Sequence, residues 1–261
     1  MPLLEHQIAL GRCLRAPGAD ALTSPTFDPL QGLAVDSEEA TQLADVVRRP
    51  GFGFTRRIQR FWCRGRAAWV ARLTLSSLPA ERRHQLINDW VEAGGSTSFD
   101  PAVEAGAFLD FIESRLTGPS HTLTLCQTER AAYRASEAAL RFRAPSPSLL
   151  DDCETVLQAS ADAALVRFFA EPERLLAAIE AGTPLPPISN RVFPVLFAPG
   201  LAALVRAVRD EEEALWEQLA RPATIPTLLR SGHTRQSIAE LLSIGAAQPV
   251  LRSCAGTTGT R

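Results

Sequence analysis

The 261-residue chain contains no lysine; all 27 residues of its Lys+Arg class are arginine. Its cations are therefore planar, forked groups suited to bidentate pairing with carboxylates, not compact point charges. Net charge is −2, which leaves no overall basic field of the kind a dedicated nucleic-acid binder carries. Cysteine is scarce and scattered: Cys13, Cys63, Cys126, Cys153 and Cys254 form no C-x-x-C pair. That dispersed, odd set argues against a disulfide scaffold or a zinc site and fits a reducing cytosol. No uncharged apolar run approaches the roughly 18 residues of a membrane span. The opening MPLLEHQIALGRCLRAPG carries Glu5 and His6 where a secretory signal needs an apolar core. A cytoplasmic protein without a membrane segment is the expectation.

Catalytic signatures are missing too. G-x-S-x-G, G-x-G-x-x-G and the P-loop are absent. The four histidines, His6, His84, His121 and His233, show no H-x-H, H-x-x-x-H or H-E-x-x-H spacing. His121 and Cys126 make a poor metal pair, and Asp151-Asp152-Cys153-Glu154 reads as a helix N-terminus beside a linker. The sequence points to no active site, metal or cofactor within this chain. What it does have is core material, 46% hydrophobic residues, enough for one large domain or two small ones.

Residues 1–35 lack periodicity and read as a loosely ordered arm. Asp36-Ser-Glu-Glu39 is a capping box that opens a helix ending at Pro50-Gly51. A second helix is expected over 54–75, with Phe54, Ile58, Phe61, Trp62, Trp69 and Leu73 as its apolar face and Arg56, Arg57, Arg60, Arg64 and Arg66 on the rest. A third spans 80–93 and stops at Gly94-Gly95. A fourth opens at Asp100-Pro101 and is packed by Phe108, Leu109, Phe111 and Ile112; a fifth runs 121–142. APSPS at 144–148 reads as a linker. Residues 36–148 thus form an all-helical domain with short connections.

After the linker, ALVRFF at 164–169 reads as a strand, 172–180 as a short helix stopped by Gly182, and 183–189 as non-helical because of its prolines. Val195-Leu196-Phe197, Pro199-Gly200 and the apolar run 201–208 form a hairpin signal. Asp210-Glu-Glu-Glu213 caps a helix carrying Leu215, Trp216 and Leu219. Thr224 and Thr234 cap two more, the last holding Ile238, Leu241 and Leu242 and ending at Gly245. Strand, strand and three helices make a winged-helix pattern over 149–250, with 251–261 read as a disordered tail. The overall class is mostly α (α+β): a helical bundle plus a winged-helix module with a small antiparallel sheet.

The order of VLFAPGLAALVRAV, a helix with Trp216, RPATIPTLL and a final helix closing on SIGAA resembles the peptide-recognition domains of ribosomally made natural-product pathways, typified by the peptide chaperone of pyrroloquinoline quinone biosynthesis. The resemblance covers about residues 160–250. The whole layout, with SADAALVRFFAEPERLLAAIEAGTPLPPISNRVFPVLFAPG between the two parts, resembles the partner proteins of multinuclear nonheme iron-dependent oxidative enzymes, and among these it is most similar to the partners acting in 3-thiaglutamate peptide biosynthesis. That resemblance implies a non-catalytic subunit of a heterodimer, with iron in the separate oxidase chain. It also implies a carrier peptide whose C-terminal cysteine loses its β-carbon.

In this class the peptide adds as a strand to a sheet edge beside the last helix. The expected peptide-binding residues are Leu204, Val205 and Arg206 on the edge and Arg235, Ala239 and Leu242 on one helix face, with Arg206 and Arg235 pairing leader acids. The expected partner interface is the Arg-rich helix: Arg57, Arg60, Trp62, Arg64 and Trp69, since Trp and Arg anchor such surfaces. A core or solvated-surface role is the plain alternative for each residue. At the level of the chain the alternative is a winged-helix DNA-binding regulator, with an unrelated adaptor as a third reading. Residues 186–261 hold eight Arg against six acids, a thin excess for phosphate binding.

Overall fold

The structure, a computed structural model, describes residues 3–16, 28–34, 36–95 and 101–250. Among them are eleven α-helices and two three-stranded antiparallel sheets, the mostly α, α+β class expected from the sequence. The tail 251–261, residues 1–2, 17–27 and 35 of the expected arm, and Asp100 at the expected start of the fourth helix lie outside the described residues. The chain divides into two compact units, Met1–Gly118 and Pro119–Arg261. The division falls at Gly118-Pro119, not at the 144–148 segment.

Among the described residues, every element of the first unit is a helix. The arm is a helix in its first part: α1 (Leu3–Arg15) buries Ala9 and Cys13 against Leu43 and Phe52. Ala9-Cys13 and Leu10-Leu14 are i, i+4 pairs on adjacent faces, a helical signal that the Pro and Gly after them mask. The capping box of α2 (Ser37–Arg48) is present, with the Glu39 N–H donating to Asp36 Oδ1 at 2.8 Å. α3 (Pro50–Val70) starts at the proline assigned to the previous helix's end, because Pro at the first helical position lacks only a donor that would be unpaired anyway. Its buried residues are Phe52, Arg56, Cys63, Ala67 and Val70, a different side from the large apolar face of Phe54, Ile58, Phe61, Trp62 and Trp69. Arg56 Nη2 donates to the Ala16 carbonyl, and burial pushes the Cys13 thiol up despite the nearby Arg56 charge. After α4 (Arg72–Ser76) come α5 (Ala80–Glu92) and α6 (Pro101–Glu113), which pack on α3 and on each other. Phe108, Leu109 and Ile112 are fully buried, and the Trp90 ring lies 5.4 Å from Phe108 and 5.1 Å from Phe111.

The second unit begins with α7 (His121–Ala139), expected to close the helical bundle. Its buried side packs on β2 (Ala164–Phe168) and β3 (Phe193–Phe197). After a 3₁₀ turn at Pro147–Asp151 come β1 (Val156–Ala159), β2, α8 (Pro172–Ala181), β3 and β4 (Val205–Ala207). Then follow α9 (Asp210–Gln218), β5 (Ala223–Thr224), α10 (Ile225–Arg230), α11 (Arg235–Ser243) and β6 (Ala247–Pro249). One sheet has the order β2-β3-β4, the other β5-β1-β6. The second sheet was not expected from the sequence: its strands are two to four residues long, too short to show alternation.

Leu157, Leu196, Leu215, Leu219, Ile225, Leu228, Ile238 and Leu241 form the core that binds α9, α10 and α11 to both sheets. Thr224 and Thr234 cap α10 and α11 as expected. The α9 cap is shifted: Arg209 holds the N-cap position, and its N–H donates to Glu212, not to Glu213, at 3.1 Å. Phe142 closes one end. A Cβ at Gly200 would stand 2.6 Å from its ring and 2.7 Å from Ile244 Cα; one at Gly245, whose φ is +73°, would stand 2.5 Å from it. Only glycine permits that approach.

Candidate functional site

In the β2-β3-β4 sheet β4 is an outer strand, and two hydrogen bonds set the phase of its ladder. Ala198 N–H donates to the Leu204 carbonyl at 3.0 Å, and Val208 N–H donates to the Pro194 carbonyl at 3.2 Å. Leu196 is paired with Arg206 in the same register. Bonded pairs alternate along an antiparallel ladder, so Arg206 turns its backbone groups toward β3, while Val205 and Ala207 turn N–H and C=O outward. Both have exposed side chains. Among the described residues no strand pairs with that outer edge.

The side chain of Arg206 does not face an incoming ligand. It leans onto the α9 face of the sheet and grips Glu212, with Nη1 donating at 2.8 Å and Nη2 at 2.5 Å. Glu212 is 2% exposed. The Arg206 bond, helped by the Arg209 backbone N–H and against the cost of burial, holds its carboxyl down to about 2. Arg167 of β2 grips the same helix, bonding Glu213 in the first turn and Glu217 a turn further on. The acidic first turn of α9 is thus bolted to the sheet by arginines from two strands.

On α11 the expected residues divide. Arg235 is exposed and pairs with Asp151 at 3.0 Å, Ala239 is half-buried, and Leu242 is 4% exposed within the core. Leu242 therefore cannot line an outer groove, as the i, i+7 spacing from Arg235 suggested: the core wraps further around this short helix than one stripe. Leu204 is half-buried and sits in the turn with φ +61°, so it shapes the hairpin and belongs to neither face. Sequence reasoning missed Ala207, whose outward backbone needs the register to be seen. It also missed a clasp beside the edge, Arg209 Nη2 donating to Glu240 of α11 at 3.0 Å.

The second expected surface lies in the first unit. Phe54, Ile58, Phe61, Trp62 and Trp69 form one stripe along α3, and Phe61, Trp62 and Trp69 are each more than 60% exposed. Gly65 falls within the stripe and leaves a gap, where an added Cβ would meet no atom within 4 Å. Arg57 and Arg64 flank it, both exposed. Arg60 does not join them; it pairs with Glu92 of α5 and is 18% exposed, so it fastens the helix to its own unit. α3 carries five arginines and no acid.

Of the histidines, His121 is buried with Nε2 2.7 Å from the Pro186 carbonyl, and His233 Nε2 lies 2.7 Å from Gln218 Oε1. Among the described residues no three His, Cys, Asp or Glu side chains gather to hold a metal ion. No described helix is long and apolar enough to cross a membrane. Comparison with protein-family models, with curated proteins and with solved structures returns no match.

Proposed function

We propose that this chain is the non-catalytic, substrate-recognising partner of an iron-dependent peptide-modifying oxidase, working as a heterodimer. The single observation that carries the reading is the open β4 edge. It turns outward the N–H and C=O of Val205 and the N–H of Ala207, whose carbonyl accepts from Arg206 Nη1 at 3.2 Å, in a sheet followed in the chain by α9, β5, α10 and α11. A leader peptide adds there as a fourth strand: main-chain bonds give affinity and the neighbouring side chains give selectivity. Holding the leader raises the local concentration of the peptide's far end, the C-terminal cysteine, at the oxidase iron; a tether does this without contributing an acid, base or metal ligand. The α3 stripe, with Trp62 and Trp69 flanked by Arg57 and Arg64, is the docking face for the oxidase, since aromatic and Arg residues dominate such anchors. The β-carbon excision that leads to 3-thiaglutamate is the reaction this partnership serves.

The DNA-binding alternative loses ground on α11 itself. Arg235 is paired with Asp151, Gln236 bonds Glu240, and Glu240 also holds Arg209. A reading helix would need those groups for bases and phosphates.

The test is fluorescence anisotropy of the full chain with labelled precursor peptides and, alongside, duplex DNA. Val205→Pro and Ala207→Pro each remove an outward donor without touching a β3–β4 bond, which an edge strand tolerates. Leader binding in the micromolar range, weakened about tenfold by either change, is the expected result. DNA binding with a steep salt slope and no peptide binding would sink the proposal.

A further inference from the structure

The second sheet has an outer strand too, and one of its amides is buried without a partner. β6 runs antiparallel to β1, with Gln248 opposite Gln158 and Ala247 opposite Ala159. Ser160 N–H donates to the Ala246 carbonyl and Val250 N–H to the Val156 carbonyl, each at 2.8 Å. Bonded pairs alternate along the ladder, so residues 246, 248 and 250 turn toward β1, while Ala247 and Pro249 turn away. Ala159 gives the same phase: its N–H leaves β6 for the Leu219 carbonyl at 2.8 Å. Among the described residues no strand pairs with the outer edge of β6, and neither the N–H nor the C=O of Ala247 is bonded. Yet Ala247 is only 3% exposed. Buried main-chain groups are nearly always paired, so this amide calls for a partner.

Ala247 lines a cavity of about 340 Å³ within the second unit. Phe142, Pro145, Pro199 and Pro249 give it apolar walls, and Arg141 and Asp162, both exposed, line it as well. Among the described residues neither of those two side chains has an ion pair or a hydrogen bond. Arg143 differs: its Nη1 donates to the Phe142 carbonyl at 2.8 Å. An added strand suits this edge badly. Pro249, the next outward residue, has no N–H to offer. The other end runs into a wall, where a Cβ at Gly245 would stand 2.5 Å from the Phe142 ring and 2.9 Å from Pro199 Cγ. What remains is one outward residue, with a donor and an acceptor on the same side of the backbone. A free α-amino acid complements it from a single carbon: the carboxylate accepts from Ala247 N–H, and the ammonium donates to Ala247 C=O. The two uncommitted charges match the same pair, Arg141 for the carboxylate and Asp162 for the ammonium. Apolar walls with a few placed polar groups are the usual make-up of a small-ligand cavity, and here they suit an aliphatic side chain.

We infer that the β6 edge and its cavity bind a free α-amino acid with an aliphatic side chain, held by the Ala247 amide, Arg141 and Asp162. This site shares no residue with the β4 edge or the α3 stripe, so it and the proposed function can fail separately. The probe is L-leucine, titrated against the full-length chain by ligand-observed NMR. A Kd of about 1 mM or tighter is expected. N-acetyl-L-leucine lacks the ammonium and L-leucine methyl ester lacks the carboxylate; each should bind about tenfold more weakly. Arg141→Gln and Asp162→Asn alter exposed side chains, which the fold tolerates, and each should weaken L-leucine about tenfold. Asp162→Asn should not weaken N-acetyl-L-leucine further, and Arg141→Gln should not weaken the methyl ester further, a pattern that a general loss of structure would not produce. Leader binding at β4 should be unchanged by either substitution. A Kd for L-leucine weaker than about 1 mM, or indifference of L-leucine to either substitution, overturns the proposal. So does equal binding of either derivative. Equal or tighter binding of N-acetyl-L-leucine amide, a neutral stretch of main chain, would mean that the edge takes a strand and overturns it as well.

Discussion

At the scale of single residues, the Arg206–Glu212 pair shows what a one-residue shift in a helix cap decides. Asp210 looks like the cap, which would place Glu213 at the third helical position. With Arg209 in that role instead, Glu212 becomes the carboxylate that turns inward and meets Arg206. Three consecutive glutamates cannot be told apart by composition, so a residue expected to greet a ligand proves to be an internal fastener. The pair makes stability depend on pH. Glu212 has a folded-state pKa of about 2, lowered from an ordinary 4.5. A lowered pKa stabilises the fold above the unfolded value, and that stability is lost as pH falls from about 4.5 through about 2. The loss has a ceiling on the order of 3 kcal/mol, reduced because Arg206 is partly solvated. Glu212→Gln should destabilise the second unit by roughly 2–4 kcal/mol at pH 7, leaving a half-buried guanidinium without its partner. It should also flatten the acid limb. Urea unfolding of both proteins from pH 7 to pH 2 checks this; parallel curves would remove Glu212 from the account.

At the scale of elements, α3 was legible as a helix but not as to which side faces the core. Large apolar side chains mark one side, and the usual reading buries them. The structure instead buries the narrow side, Phe52, Cys63, Ala67 and Val70 with Arg56, where small residues let α1, α2, α5 and α6 come close. A helix apolar on two sides does not say which one its own chain covers. The short strands β1, β5 and β6 were illegible for another reason: their pairings, such as Val156 with Thr224 and Gln158 with Gln248, join distant segments and leave no local pattern. Capped helices were the easy part, because Asp36, Thr224 and Thr234 act within one turn. The orientation of α3 carries its own prediction. Trp62→Ala and Trp69→Ala should each change unfolding free energy by less than about 0.5 kcal/mol, as exposed positions do. Phe108→Ala in the core should cost about 3–5 kcal/mol. The same Trp changes should cut binding of a hydrophobic reporter dye, and of the oxidase in a pull-down. A core-sized loss of stability from either Trp change would mean that the stripe is covered in the isolated chain.

At the scale of the whole molecule, the sequence carried the fold class and the order of the C-terminal helices but placed the border between units elsewhere. APSPS looks like a linker and does interrupt helix, yet α7 before it packs on β2 and β3, and Phe142 sits against Gly200 and Gly245. Linker composition reports where a helix stops; it does not report which core the helix has joined. Each unit has a core of its own, built on Phe108, Leu109 and Ile112 in one and on Leu157, Leu196 and Leu215 in the other. Units with separate cores unfold as separate cooperative transitions unless a large apolar interface couples them. Scanning calorimetry of the full chain should resolve two transitions. Phe108→Ala should lower only the one belonging to Met1–Gly118, and Glu212→Gln only the one belonging to Pro119–Arg261. Adding a leader peptide should raise the second transition alone, because a ligand stabilises the unit that binds it. A single transition moved by both substitutions would mean that the two cores fold as one.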